Sequence, residues 1–304
     1  MNSLHEVARA KLNLGLKVTG RREDGFHNLI SLFQTVDLCD ELTLTLSAKL
    51  SLHCDNQALP NQLDNLAWKA ADLFLREVGG RPVHIDLVKR IPMGAGLGGG
   101  SADAAAVLRG LNRLASRPVS LQQLQMLGAQ LGSDVPFALQ GGTAWVEGRG
   151  ELLTPVPWDA EGLDLHYLLV DPGIEVNTAW AYAQLAIGIS RQNSGLSTSD
   201  SYLTFFNSAR GGRVPVRRLL EVIDNDFQPV VERAKPIVAR ASQALAALTP
   251  LARSMTGSGS VVFGIYVDRI AARHAAEQLR RLGYPVFLCT PVPEPVSTGQ
   301  SCGE

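Results

Sequence analysis

The sequence predicts a protein of the α+β class. Apolar residues recur at every second position early in the chain and at helical spacing later, and a glycine-rich turn links a strand-like run to a helix-like one. At 304 residues and 45% hydrophobic content, the chain has enough apolar material for two domains or one large one.

Composition narrows the class. A formal net charge of −1 offers no broad basic surface to nucleic acid. Cys39, Cys54, Cys289 and Cys302 are scattered without a C-x-x-C pair, which indicates neither a zinc site nor a disulfide framework. The opening MNSLHEVARAKLNL lacks the apolar core of a signal peptide, and no apolar run reaches membrane-spanning length. A reduced, soluble, cytoplasmic protein is expected, with no nucleic acid and no membrane among its partners. The sequence carries no signal for oligomeric state.

The elements follow in order. Leu12, Leu14, Leu16 and Val18 fall on one face of a strand, and Arg9, Lys11, Asn13, Gly15 and Lys17 on the other. Lys11 and Asn13 therefore project side by side, and on spacing alone an ordinary solvated face is the simpler account of them. Asp24-Gly25 marks a turn into an apolar strand from Leu29 to Val36, with Phe26 and His27 at its entry, where packing and a hydrogen-bonded imidazole would explain them. Leu42, Leu44 and Leu46 alternate with Thr43, Thr45 and Ser47 as a half-buried strand, and Leu50 and Leu52 suggest its partner. Asp64 or Asn65 caps a helix from Leu66 to Val78 that stops at Gly79-Gly80. Val83, Ile85 and Leu87 form the strand that feeds the glycine-rich stretch.

That stretch, PMGAGLGGGSADAA at 92–105, concentrates Gly94, Gly96, Gly98, Gly99 and Gly100. Such density is costly in conformational entropy unless the backbone must take φ > 0 or be approached closely. A glycine turn that opens a helix presents unpaired N–H groups and the positive end of the helix dipole, which suits a polyphosphate. The dinucleotide fingerprint fails here, because it needs an acidic residue about 20 positions on and residues 104–133 contain no Asp or Glu. The P-loop fails because Ser101 and Ala102 follow Gly100 in place of Lys and Ser/Thr. A Pro-x-x-x-Gly-Leu-Gly loop with a serine at the helix start remains.

Ala104, Val107, Leu108 and Leu111 then mark the buried face of a helix from Ala102 to Ala115. Ser120 and Gln123 form a capping box for the next helix, which ends near Gly132. Asp134 lies between that helix end and Pro136, a place where a turn former would serve. An apolar strand follows around Trp145 and Val146. The composition turns loop-like at 155–165, which places a boundary between domains at 1–158 and 159–290, with 291–304 expected to be a disordered tail. The second domain is expected to hold a strand from Tyr167 to Val170 and a polar linker at 188–201. A helix from Val230 to Leu248, broken or kinked at Pro236, comes next. The glycine-rich turn MTGSGS at 255–260 runs into a strand, followed by a helix from Arg269 to Leu282 and a short strand from Pro285 to Leu288.

Taken together, AKLNL at 10–14, DGFH at 24–27, GLGGGSADAA at 96–105, GSDVP at 132–136 and MTGSGS at 255–260 resemble the motifs of the GHMP kinase superfamily. The resemblance runs from about residue 8 to about residue 290. It implies the GHMP kinase fold, with an N-terminal ribosomal-protein-S5-domain-2-like domain and a ferredoxin-like C-terminal domain. It also implies phosphoryl transfer from ATP with Mg²⁺. Lys11 and Asp134 would then be catalytic, Asp134 as general base. ATP would be bound by Asn65, Pro92, Met93, Gly94, Ala95, Gly96, Leu97, Gly98, Gly99, Gly100, Ser101, Ala102 and Asp103. Asn13, Phe26, His27, Thr178 and Tyr182 would bind the acceptor, although on pattern alone Tyr182 is a core residue. No metal ligand is assigned. The DGFH motif resembles the cytosine-binding motif of the branch that phosphorylates a cytidine diphosphate-linked methylerythritol, a small-molecule substrate. One departure is Ala102, where that branch usually has a second serine.

Overall fold

The computed structural model describes residues 3–56, 62–192, 201–210 and 212–293. Residues 193–200 of the expected linker and 294–304 of the expected tail lie outside them. The first half of the chain carries β1 (Ser3–Arg21), β2 (His27–Leu46), β3 (Ser51–Cys54), α1 (Leu66–Glu77), β4 (Val83–Val88), α2 (Gly99–Leu114), α3 (Leu121–Leu131), α4 (Val135–Gln140), β5 (Thr143–Gly148) and β6 (Leu152–Pro155). The second half carries β7 (Trp158–Asp159), β8 (His166–Val170), α5 (Thr178–Gln192), α6 (Ser201–Ala209), β9 (Val214–Pro215), α7 (Val216–Val222), α8 (Gln228–Ala234), α9 (Pro236–Ala246), β10 (Ala252–Met255), β11 (Val262–Tyr266), α10 (Arg269–Arg281) and β12 (Val286–Cys289).

The first sheet runs β3-β4-β2-β5-β6, with β1 paired to β2. The runs Leu29–Val36 and Leu42–Leu46, which look like two strands in the sequence, are a single strand of 20 residues. One edge of β2 pairs β5 through Leu29–Gln34 and β4 through Glu41–Leu46, while β1 pairs antiparallel along the other. Leu42, Leu44 and Ile85 of this sheet pack against Ala70 and Phe74 of α1 and Leu108 and Leu111 of α2. The second sheet is antiparallel, β10-β11-β8-β12, and packs Leu168 and Val170 on Val238, Leu245, Ala275 and Leu279 of α9 and α10. This is the α+β class expected. A further cluster joins the halves, with Leu12, Leu14, Leu32 and Trp145 against Leu169, Tyr202, Phe206 and Phe263.

That joining core overturns one expectation. The second face of β1 is not solvated: Lys11, Asn13 and Lys17 are 7%, 2% and 6% exposed. Other differences are local. Asn65 is the residue that caps α1, accepting from the Ala67 amide at 2.9 Å. The helix after the glycines begins within them, at Gly99. Of the break or kink expected at Pro236 the structure shows the break: α8 ends at Ala234 and Pro236 starts α9, where a residue without an N–H costs nothing in a first turn. Helix α5 continues to Gln192, into the region expected to be linker. Pro291 still bridges Val36, and the Val292 amide donates to the Thr35 carbonyl at 2.8 Å, so the chain remains attached to the sheet beyond residue 290. Cys54 and Cys289 are free thiols, whereas Cys39 is disulfide-bonded, which the cysteine spacing did not signal. Among the described residues, no helix is long and apolar enough to cross a membrane.

A buried charge cluster ties the glycine-rich turn to the sheet. Lys89, just after β4, pairs with Asp40 of β2 and with Asp103 of α2 at 2.7 Å, and all three side chains are 5% exposed or less. Asp40 also accepts from the Ile91 amide at 2.8 Å. Two carboxyl groups thus share one ammonium, and the second oxygen of Asp103 has no partner among the described residues. Burial pushes the Asp103 carboxyl up to about 8, with Asp40 adding to the rise and Lys89 opposing it. An unfolded Asp titrates near 3.9. Between these values the folded state keeps a proton that the unfolded state has released, so stability falls as pH rises through the interval. Thermal melts of the parent should therefore drop in midpoint between pH 5 and 8, and the Asp103→Asn variant should show a flatter profile. Equal slopes would assign the dependence to another group.

Candidate functional site

The glycine-rich turn is a cradle of amides. Gly94, Gly96 and Gly98 have φ of 59°, 81° and 70°, and Ala95 and Leu97 between them do not have positive φ. A backbone that alternates in this way can gather N–H groups into an anion-binding concavity. The carbonyls are all engaged elsewhere. Gly94 accepts from the Val176 amide at 3.2 Å, Ala95 from Val261 at 3.2 Å, Leu97 from Lys11 at 3.0 Å and Gly98 from Ala102 at 2.9 Å. The Gly96 carbonyl accepts from the Thr256 hydroxyl at 3.3 Å. A side chain is excluded at Gly96, where a Cβ would lie 2.2 Å from the Thr256 carbonyl oxygen. Helix α2 starts at once, adding its dipole to the same spot.

Lys11 and Asp134 meet beside this cradle. The Lys11 ammonium is 3.5 Å from Asp134 Oδ2. It donates to Asn13 Oδ1 at 2.6 Å and lies 4.5 Å from the centre of the Phe33 ring. A Cβ at Gly98 would be 3.2 Å from the Lys11 stem and 3.6 Å from Asp134 Oδ2, so the pair borders the loop. Asp134 stands at the N-cap position of α4, yet its side chain makes no capping bond. Asp134 does sit in a turn, closed by the Val135 amide on the Gly132 carbonyl at 3.2 Å, and its half-buried carboxylate lines the cleft.

The cleft continues past this pair to an aromatic end. Its volume is about 1310 Å³, above the roughly 300–1,000 Å³ of an ordinary small-molecule site, as two ligands would need. Phe26 is 56% exposed, with the Arg149 guanidinium 5.0 Å from its ring centre. His27 stacks on Tyr182 at 4.8 Å, and Tyr182 meets Phe227 edge-on at 4.8 Å. Burial and the nearby Arg21 lower the His27 pKa, so its imidazole is neutral at pH 7 and can both donate and accept. Burial, then Asp134, pushes the Tyr182 hydroxyl up to about 12. Tyr182 lines the cleft and also packs on the second-half core. Thr178, the first residue of α5, shares a 2.9 Å hydrogen bond with Ser258.

All the candidate residues line this one cleft except Ala102. Ala102 is 2% exposed and packs into the helix-layer core, so the place of the missing serine faces inward. Asp103 reaches the cleft wall while paired with Lys89. Sequence reasoning missed Lys89, Arg149 and Phe227, and it reached Ser258 only as part of the MTGSGS motif. Arg149 stands between two glycines in a hairpin turn, and only its position opposite Phe26 in space gives it meaning.

Two family models match the chain. The N-terminal domain of the GHMP kinases covers residues 65–142 and their C-terminal domain covers residues 209–285. The 4-diphosphocytidyl-2-C-methyl-D-erythritol kinase of Citrifermentans bemidjiense is 38% identical over 287 residues, covering 92% of this chain and 96% of its own. That of Prosthecochloris aestuarii is 41% identical over 284 residues, covering 92% and 94%. A crystal structure of a 4-(cytidine 5'-diphospho)-2C-methyl-D-erythritol kinase superposes with a TM-score of 0.74 at 34% identity, covering 95% of this chain and 99% of that one. Homoserine kinase from Cytophaga hutchinsonii shares the fold at a TM-score of 0.75 and 21% identity, covering 97% and 96%. The cradle, the ion pair and the aromatic end thus occur in a chain that belongs to the GHMP kinases, within their 4-diphosphocytidyl-2-C-methyl-D-erythritol kinase family.

Proposed function

We propose that this kinase transfers the γ-phosphoryl group of ATP to the 2-hydroxyl of 4-diphosphocytidyl-2-C-methyl-D-erythritol, giving the 2-phosphate and ADP, a step of the non-mevalonate route to isoprenoid precursors. The observation that carries the proposal is the Lys11–Asp134 pair, 3.5 Å apart at the edge of the amide cradle and in one cleft with Phe26 and His27.

Phosphoryl transfer asks mainly for positioning, charge neutralisation and a group to take the hydroxyl proton. The amides from Gly96 to Ser101 hold the phosphates, and Asn65 borders the nucleoside end. Mg²⁺ neutralises phosphate charge when bound, and it usually keeps several waters and few protein ligands. The Ser101 hydroxyl, on the cleft wall, would hold it. Asp134 takes the proton from the acceptor hydroxyl. The Lys11 ammonium stabilises charge on the oxygens in transit. At the far end, Phe26 offers a stacking surface for cytosine, and the neutral His27 meets the base edge with one donor and one acceptor.

Two tests follow. General-base assistance is worth roughly 10²- to 10⁴-fold, so Asp134→Asn should lose that much kcat while ADP affinity stays within about twofold; parent-like turnover would remove the base assignment. In a coupled ADP-release assay the cytidylylated acceptor should be used, with mevalonate and homoserine near background. Stacking on an aromatic ring contributes about 1–3 kcal/mol per base, so Phe26→Ala should raise the KM for the acceptor roughly 5- to 150-fold and leave that for ATP nearly unchanged. Equal use of the three acceptors would sink the substrate assignment.

A further inference from the structure

Thr256 lies in the second half of the chain, 243 positions from Asn13, on the turn after β10. It is fully buried. Its hydroxyl accepts from the Asn13 amide at 3.1 Å, and its single proton is shared between Asn13 Oδ1 and the Gly96 carbonyl, each at 3.3 Å. One side chain therefore touches both the cradle and the residue that holds Lys11.

The hydrogen bonds around Asn13 have a fixed direction. Ser31 donates its proton to the Gly15 carbonyl at 2.6 Å. Its oxygen can then only accept from Asn13 Nδ2, which lies at 3.0 Å. That fixes the carboxamide with Oδ1 toward the Lys11 ammonium at 2.6 Å, and the Thr256 hydroxyl supports the same oxygen from the other domain. The turn is itself held by Asn225, whose Nδ2 donates to the Met255 and Gly257 carbonyls at 2.6 and 2.9 Å.

We infer that Thr256 is a positioning residue for phosphoryl transfer: through Asn13 and the Gly96 carbonyl it sets the Lys11 ammonium against the phosphate cradle. This rests on the assignment of Lys11 and Asp134 as the reacting pair. A hydroxyl that acts this way contributes to the rate of the chemical step and little to the binding of either substrate, since it faces neither.

The test compares Thr256→Val, which keeps shape and loses the hydroxyl, with Thr256→Ser, which restores it, and with Ser31→Ala, which breaks the chain from its other end. Steady-state kinetics with ATP and the cytidylylated acceptor, thermal midpoints and ADP affinity are read for each. Thr256→Val and Ser31→Ala should each lose roughly 5- to 100-fold in kcat, the range for an orphaned buried polar group, with both KM values within about twofold. Thr256→Ser should stay within about threefold of the parent. Parent-like kcat in Thr256→Val overturns the inference, as does a raised KM with unchanged kcat, or a Thr256→Ser enzyme as slow as Thr256→Val. If Thr256→Val does not fold, Ser31→Ala decides, and parent-like kcat there is equally fatal. Asp134→Asn separates the two levels. At parent rate it removes the catalytic pair itself; inactive beside fully active Thr256→Val and Ser31→Ala, it leaves the pair standing and removes only the role of Thr256.

Discussion

The loop from Gly94 to Gly98 can turn its amides inward only because its carbonyls are held outward. Five successive carbonyls each meet a donor, and those donors come from the segment before α5, the two limbs of the turn after β10, β1 and α2. Left to itself, a five-residue stretch with three glycines would sample many conformations, and fixing each residue costs about 1–2 kcal/mol. The surrounding elements offset that cost within the protein itself. A preorganised set of donors needs no rearrangement when charge moves in the transition state.

Strand β1 is the member on which this arrangement converges. One edge of it pairs with β2, and the other is not a free edge. Its amides donate to Leu97 at Lys11, to Thr256 at Asn13 and to Asp224 at Leu16. Its side chains follow the same logic. Lys17 pairs with Asp224 at 2.6 Å and Asp226 at 3.1 Å, both from the second half of the chain. Burying an ammonium is expensive unless it is paired and hydrogen-bonded, and Lys11 meets Asn13, Asp134 and the face of Phe33. The halves of the molecule are thus joined at the strand that carries the ammonium, and movement at the joint would be felt at the site.

What was legible in the sequence divides along physical lines. Local rules worked where the cause is local: Asn65 caps α1, Ser120 and Gln123 form their box, and the glycines at 94, 96 and 98 take the positive φ that their density implied. Period two found the inward face of β1 but misjudged the other, because no pattern in residues 9–17 reports that a turn 240 positions later will cover Lys11 and Asn13. The same blindness applies to Lys89, whose partners Asp40 and Asp103 come from separate elements, and to Arg149 over Phe26. The site residues themselves came from resemblance to known motifs, not from spacing: Lys11 read as a solvated strand residue and Asp134 as a turn former until the motifs were taken together.

Whether Lys11 and Asp134 act as one unit is the point on which the account turns, and a double-mutant cycle measures it. The kcat/KM of Lys11→Met, Asp134→Asn and the double variant is compared with that of the parent. Groups that act together in one transition state lose their joint contribution at the first substitution, so the double variant should be little slower than the slower single one. Losses that multiply, giving a double variant slower by the product of the single effects, would mean that the two side chains work independently and would contradict the account.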